Sequence, residues 1–102
     1  MTLRLLDEAK SELRKSALWY EEKRDGLGED FISVVECALE IIEERPRQFT
    51  QLNVGSEDRE VRRCVLKRFP YLIIFEICAD EVLVIAIAHS KRKPKYWKDR
   101  LK

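Results

Sequence analysis

The feature that most constrains this chain is a change of hydrophobic period near residue 60. Before it, apolar residues recur at helical spacing, as Leu6, Ala9, Leu13, Ala17 and Tyr20, then as Phe31, Val34, Val35, Ala38, Ile41 and Ile42. A helix turns once per ~3.6 residues, so such spacing keeps one face apolar and predicts amphipathic helices over 7–24 and 28–45. Ile32 and Leu39 lie off the main stripe, which gives the second helix another face to cover. Gly26 and Gly28 in "RDGLGED" permit a tight reversal between the helices, and Pro46 stops the second. Beyond residue 60, "YLIIFEI" and "VLVIAIA" are unbroken β-branched and apolar runs, as expected of strands covered on both faces.

The preceding stretch, "EVRRCVLKR", alternates imperfectly, so strands are expected near 60–68, 71–77 and 82–89, with turns at Pro70 and "ADE" (79–81). Residues 46–59 have no period and read as a loop with one turn of helix, and "TLRLL" reads as a short edge strand. The expected fold is therefore α+β, one domain over 1–102: an N-terminal antiparallel helical hairpin packed on an antiparallel β-sheet. If the first β-hairpin turns at Phe69–Pro70, Cys64 faces about Phe75 rather than Cys78, which disfavours a disulfide between the two cysteines.

Charge is unevenly spread. Residues 1–58 carry 8 Lys/Arg and 14 Asp/Glu, a net of −6, whereas residues 59–102 carry 12 and 5, a net of +7. A polarised chain either offers its basic side to an acidic partner or packs its halves together to neutralise them. Three cysteines without CxxC spacing fit reduced thiols, and a single histidine leaves too few ligands for a structural zinc, so no cofactor or metal is expected. Arg4, Asp7 and Glu8 interrupt any apolar leader, and no apolar run reaches the length of a bilayer span; the expectation is a cytoplasmic protein with no membrane partner.

The basic half ends in "AIAHSKRKPKYW", residues 86–97. There a strand-like run closes on a lone histidine, followed by cations, a proline and two aromatics. His89 at a strand end reads first as a half-buried histidine bonded to backbone. Tyr96 and Trp97 read as anchors that pack the segment on the sheet, and Trp19 and Tyr20 as core or hairpin packing. Arg62, Arg63, Lys67 and Arg68 alternate along a strand, so at most half can share one face.

Three stretches together resemble the RelE/ParE superfamily of type II toxin–antitoxin toxins: "WYEEKRDGLGEDF" (19–31), "VRRCVLKRFPYLIIFEI" (61–77) and "IAIAHSKRKPKYWKDR" (85–100). The glycine-bounded hairpin is closest to the ParE-like branch, a plasmid-stabilisation-type toxin. The resemblance implies a helical hairpin on an antiparallel sheet with a short C-terminal helical segment. It also implies a cognate antitoxin as partner, DNA gyrase as target without any cut made by the toxin itself, and a homodimer or a toxin–antitoxin hetero-oligomer. Target or antitoxin binding falls to Arg62, Arg63, Lys67, Arg68, His89, Lys91, Arg92, Lys93, Tyr96 and Trp97.

Two alternatives stand beside this reading. RelE-like relatives cleave messenger RNA on the ribosome without a metal, and Arg63, Lys67, His89, Arg92 and Tyr96 would be the catalytic set. Against that, Leu72 follows "FPY" where those enzymes tend to place arginine, and Val65 stands near a position they give to lysine. The other alternative is a non-toxic relic that only binds an antitoxin.

Overall fold

The computed structural model describes residues 1–102. Strands β1 (Thr2–Leu5), β2 (Thr50–Gln51), β3 (Glu60–Val65), β4 (Tyr71–Cys78) and β5 (Glu81–His89) form one sheet in the order β1-β5-β4-β3-β2. Helices α1 (Asp7–Lys23) and α2 (Leu27–Glu44) pair as a hairpin on one face. Asp7 and Glu8 in the first turn of α1, and Lys23 in its last, complement the helix dipole.

The hairpin reversal depends on two glycines for different reasons. Gly26 adopts φ 87°, a left-handed conformation that side chains resist. At Gly28 a Cβ would sit 2.5 Å from the carbonyl oxygen of Ala17, so the helices cross at a distance only glycine allows. Glu21 closes the turn by accepting the backbone N–H groups of Gly26 and Gly28, both at 2.9 Å.

The three long strands form the expected antiparallel meander, but the sheet is mixed, because β1 runs parallel to β5 with Thr2 opposite Glu81 and Leu5 opposite Val84. Strands β3, β4 and β5 alternate in direction, so β5 runs as β3 does. The stretch between α2 and β3 carries β2, which lies antiparallel along the edge of β3 and returns the chain to the start of that strand. The β3–β4 register also differs from expectation. Cys64 faces Ile73 rather than Phe75, because the strand ends at Val65 and leaves a longer turn around Phe69–Pro70. All three cysteines are free, and burial pushes the Cys64 thiol up. The C-terminal segment holds only a 3₁₀ turn at Lys98–Arg100, not a helix.

Apart from Glu76, which is buried and paired with Arg59 at 2.8 Å, and from Glu81 and His89 at the ends of β5, strands β4 and β5 are apolar because both faces are covered. Phe31, Val35 and Ile42 of the hairpin pack on Ile73, Phe75, Val82, Val84 and Ile87. On the other face Val54, Val61, Ile74, Ile85, Ala86 and Ala88 cluster around Trp97, which the C-terminal segment folds back onto the sheet. Ile32 and Leu39 both border the helix-side core, so α2 does cover a second face. A β-bulge where Ile74 faces Ala86 but Phe75 faces Val84 shifts the alternation of β5 by one residue. That shift turns Ile87 and His89 toward the hairpin.

Candidate binding surface at the C-terminal rim

One carboxylate gathers the polar contacts that tie the end of the chain to α1. Glu12 on α1 accepts from both terminal nitrogens of Arg100, at 2.9 and 3.0 Å, and from the Tyr96 hydroxyl. The same carboxylate also takes the Ile87 backbone N–H at 3.0 Å. Arg100 in turn donates to the Ile85 carbonyl at 3.0 Å. Strand β1 pairs with β5 only as far as Val84, so these side chains satisfy the edge that β1 leaves open. Burial, and then the Glu12 bond, push the Tyr96 phenol well above its ordinary pKa.

The turn leading to this clasp is conformationally determined. Lys91 donates its backbone N–H to His89 Nδ1 at 3.0 Å, and the His89 ring meets Tyr71 edge-on with centroids 5.1 Å apart. Arg92 lies over the Tyr96 ring at 3.9 Å, and Lys95 is held at φ 60° with its ammonium on the Asn53 carbonyl. Trp97 is 3% exposed. Its indole therefore fastens the segment and presents no surface to a partner. Lys91, Arg92 and Lys93 are exposed and form no ion pair, so their charges are free.

The other cations are spread over the molecule. Arg62 is a latch: it pairs with Glu60 at 2.9 Å and donates to the carbonyls of Phe49 and Arg47, holding β2 and the 3₁₀ turn before it. Burial raises the Glu60 carboxyl, but its bonds to Arg47 and Arg62 outweigh that and leave it below the ordinary range. Arg68 pairs with Asp30 at 3.0 Å and lies over Phe69. Arg63 and Val65 face away from the hairpin, opposite to Cys64 and Leu66 in the helix-side core. Lys67 borders a groove of about 560 Å³ between α2 and β3, lined by Val34, Ala38, Ile41 and Phe49. The structure thus stacks Arg92 on Tyr96 at the C-terminal rim, turns the His89 ring toward the hairpin, and leaves Arg63 on the other face of the sheet, two strands from β5.

Sequence reading missed Glu12 and Arg100, whose separation of 88 positions leaves no local signal. It also misplaced Trp19. Tyr20 packs among Phe31, Phe69 and Tyr71 as expected, but Trp19 is 54% exposed. No three His, Cys, Asp or Glu side chains come together in a way that could hold a metal ion, and no helix is long and apolar enough to cross a membrane.

The model of the family described as the ParE toxin of the type II toxin–antitoxin system parDE matches residues 3–94. The chain belongs to the ParE toxin family. That match spans the hairpin, all of the sheet but Thr2, and the rim as far as Pro94. Among solved structures, the ParE-family fold described above is similar to a chain of the chromosomal ParDE toxin–antitoxin system from P. aeruginosa. The two share 18% identity at a TM-score of 0.63, over 89% of this chain and 97% of that one. No curated protein matches the sequence. Tyr96, Trp97 and Arg100, which carry the C-terminal clasp of this ParE-family toxin, fall beyond the residues matched by the family model.

Proposed function

We propose that this ParE-family toxin acts by binding a macromolecular target, DNA gyrase by family resemblance, and that it does not itself cut nucleic acid. The observation that carries the reading is the dispersal of the would-be ribonuclease residues. Cleavage through a ribose 2′-hydroxyl needs a base, an acid and cations around one phosphate. Here Arg63 faces away from the hairpin while His89 faces toward it, and the Tyr96 hydroxyl is engaged with Glu12. A cognate antitoxin with an acidic, partly apolar segment that folds on binding suits the free charges of Lys91, Arg92 and Lys93. Rim cations of this kind act mainly through association rate and salt sensitivity.

The test is induction of the toxin followed by two measurements: a gyrase supercoiling assay with a DNA-damage reporter, and sequencing of transcript ends. The expected result is gyrase inhibition, a damage response and intact transcripts. Ribosome-phased cuts that vanish in Arg92→Ala or Tyr96→Phe would overturn it in favour of a RelE-like endoribonuclease.

A further inference from the structure

Further along α1 from Glu12, against the end of β5, lies a cleft of about 510 Å³, within the roughly 300–1,000 Å³ of small-ligand sites. Its walls are Trp19, Tyr20, Tyr71 and His89, with Lys15 and Ser16 at the α1 side. Three features distinguish it from ordinary core packing. Trp19 is half exposed although it stands edge-on to Tyr20 at 5.1 Å, so a large ring is held in place with free surface. His89, partly exposed and backed edge-on by the buried Tyr71, supplies a second aromatic wall, fixed by the strand register and by the Lys91 N–H on His89 Nδ1. The only charged side chain lining the cleft is Lys15, and neither it nor Lys23, 4.7 Å over the Trp19 ring, forms an ion pair.

Past His89 the chain continues directly into the free cations Lys91, Arg92 and Lys93, with Arg92 stacked on Tyr96. Aromatic faces interleaved with unpaired cations are what a flexible polyanion with planar side groups requires. Stacking on rings and phosphate contact with lysines supply that binding without reading sequence. A proline-rich peptide would use the aromatic walls but gain nothing from the cations. A duplex would meet the cations but keep its bases out of the cleft.

We infer that this rim binds single-stranded nucleic acid. One unstacked base lies against the exposed ring of Trp19, across the cleft from His89, and the flanking phosphates meet Lys15, Lys91 and Lys93. Because stacking and phosphate contacts do not distinguish the sugar, DNA and RNA strands bind alike. The inference concerns binding alone and does not depend on which target the toxin poisons.

The experiment is fluorescence anisotropy of the full-length protein with labelled oligothymidylate and oligouridylate of about ten nucleotides, beside a blunt hairpin duplex, from about 50 to 200 mM salt. Saturable binding of both single strands is expected, within about threefold of each other and at least about tenfold tighter than the duplex. Trp19→Ala should weaken it at least about tenfold, in keeping with base–aromatic stacking. The double variant Lys91→Ala/Lys93→Ala should lower the slope of log K against log salt by about 1.4, at about 0.7 per phosphate on a single strand. Leu18→Ala, on an exposed residue outside the cleft, should change nothing. Tryptophan emission gives an independent reading, since Trp19 is exposed and Trp97 buried: quenching by the oligonucleotide in wild type should be lost in Trp19→Phe. No binding at low salt, binding that leaves tryptophan emission unchanged, or a folded Trp19→Ala variant that binds as well as wild type would each overturn the inference.

Discussion

Replacing Glu12 with alanine tests whether the C-terminal segment is part of the fold. Its carboxylate accepts four hydrogen bonds, two from Arg100 and one each from Tyr96 and the Ile87 N–H. The Glu12 and Arg100 side chains are 16% and 18% exposed, so water replaces little of what is lost. Breaking a buried ion pair from one side costs ~3–5 kcal/mol, mostly because the surviving charge stays desolvated. The residual exposure here argues for the lower end, about 3 kcal/mol, a large part of the ~5–15 kcal/mol that stabilises a domain. With about 4–8 °C per kcal/mol in a domain of this size, Tm should fall by roughly 12–24 °C.

Urea titration followed by circular dichroism and by tryptophan emission would measure this change. The buried Trp97 reports directly on whether residues 90–101 stay docked. In Glu12→Leu/Arg100→Met both charges are gone, so this double variant should recover a good part of the loss. A Glu12→Ala variant within about 0.5 kcal/mol of wild type, the range of an ordinary surface change, would refute the clasp.

Three further outcomes follow from individual positions. Gly28→Ala should destabilise by about 1–3 kcal/mol in the same titration despite the better helix propensity of alanine, because the new methyl meets the Ala17 carbonyl, which is backbone and cannot turn aside. Ala79→Gly should raise Tm, by about 0.5–1 kcal/mol in stability, since residue 79 sits at φ 48° in the β4–β5 turn, where glycine is unstrained. Tyr96 holds its proton more tightly folded than unfolded, so its contribution is complete below pH 10.0 and is lost as pH rises toward the elevated folded value. Tyr96→Phe should therefore flatten that alkaline loss in melts taken across this range.

The elements were legible in the sequence because each follows from neighbours along the chain. The spacing of Phe31, Val35 and Ile42 makes a helix with one buried face wherever it lies, and a short β-branched run such as "VLVIAIA", bounded by a turn, reads as a covered strand. The co-occurrence of three stretches, from "WYE" to "HSKRKPKYW", was enough to point to the toxin family that the family model bears out over residues 3–94. Tertiary structure alone decided how these pieces meet. That β1 lies parallel to β5, that Cys64 faces Ile73, and that a bulge turns His89 toward the hairpin all depend on pairings between distant strands. A one-residue change in alternation exchanges the faces of a strand without altering its composition, so periodicity cannot report it. Arg62 and Lys91 look alike as basic residues in the sequence, yet one is consumed by Glu60 and the Phe49 carbonyl while the other stays free. Which charges remain available is a question of what lies within a few ångströms in space, and only the folded chain answers it.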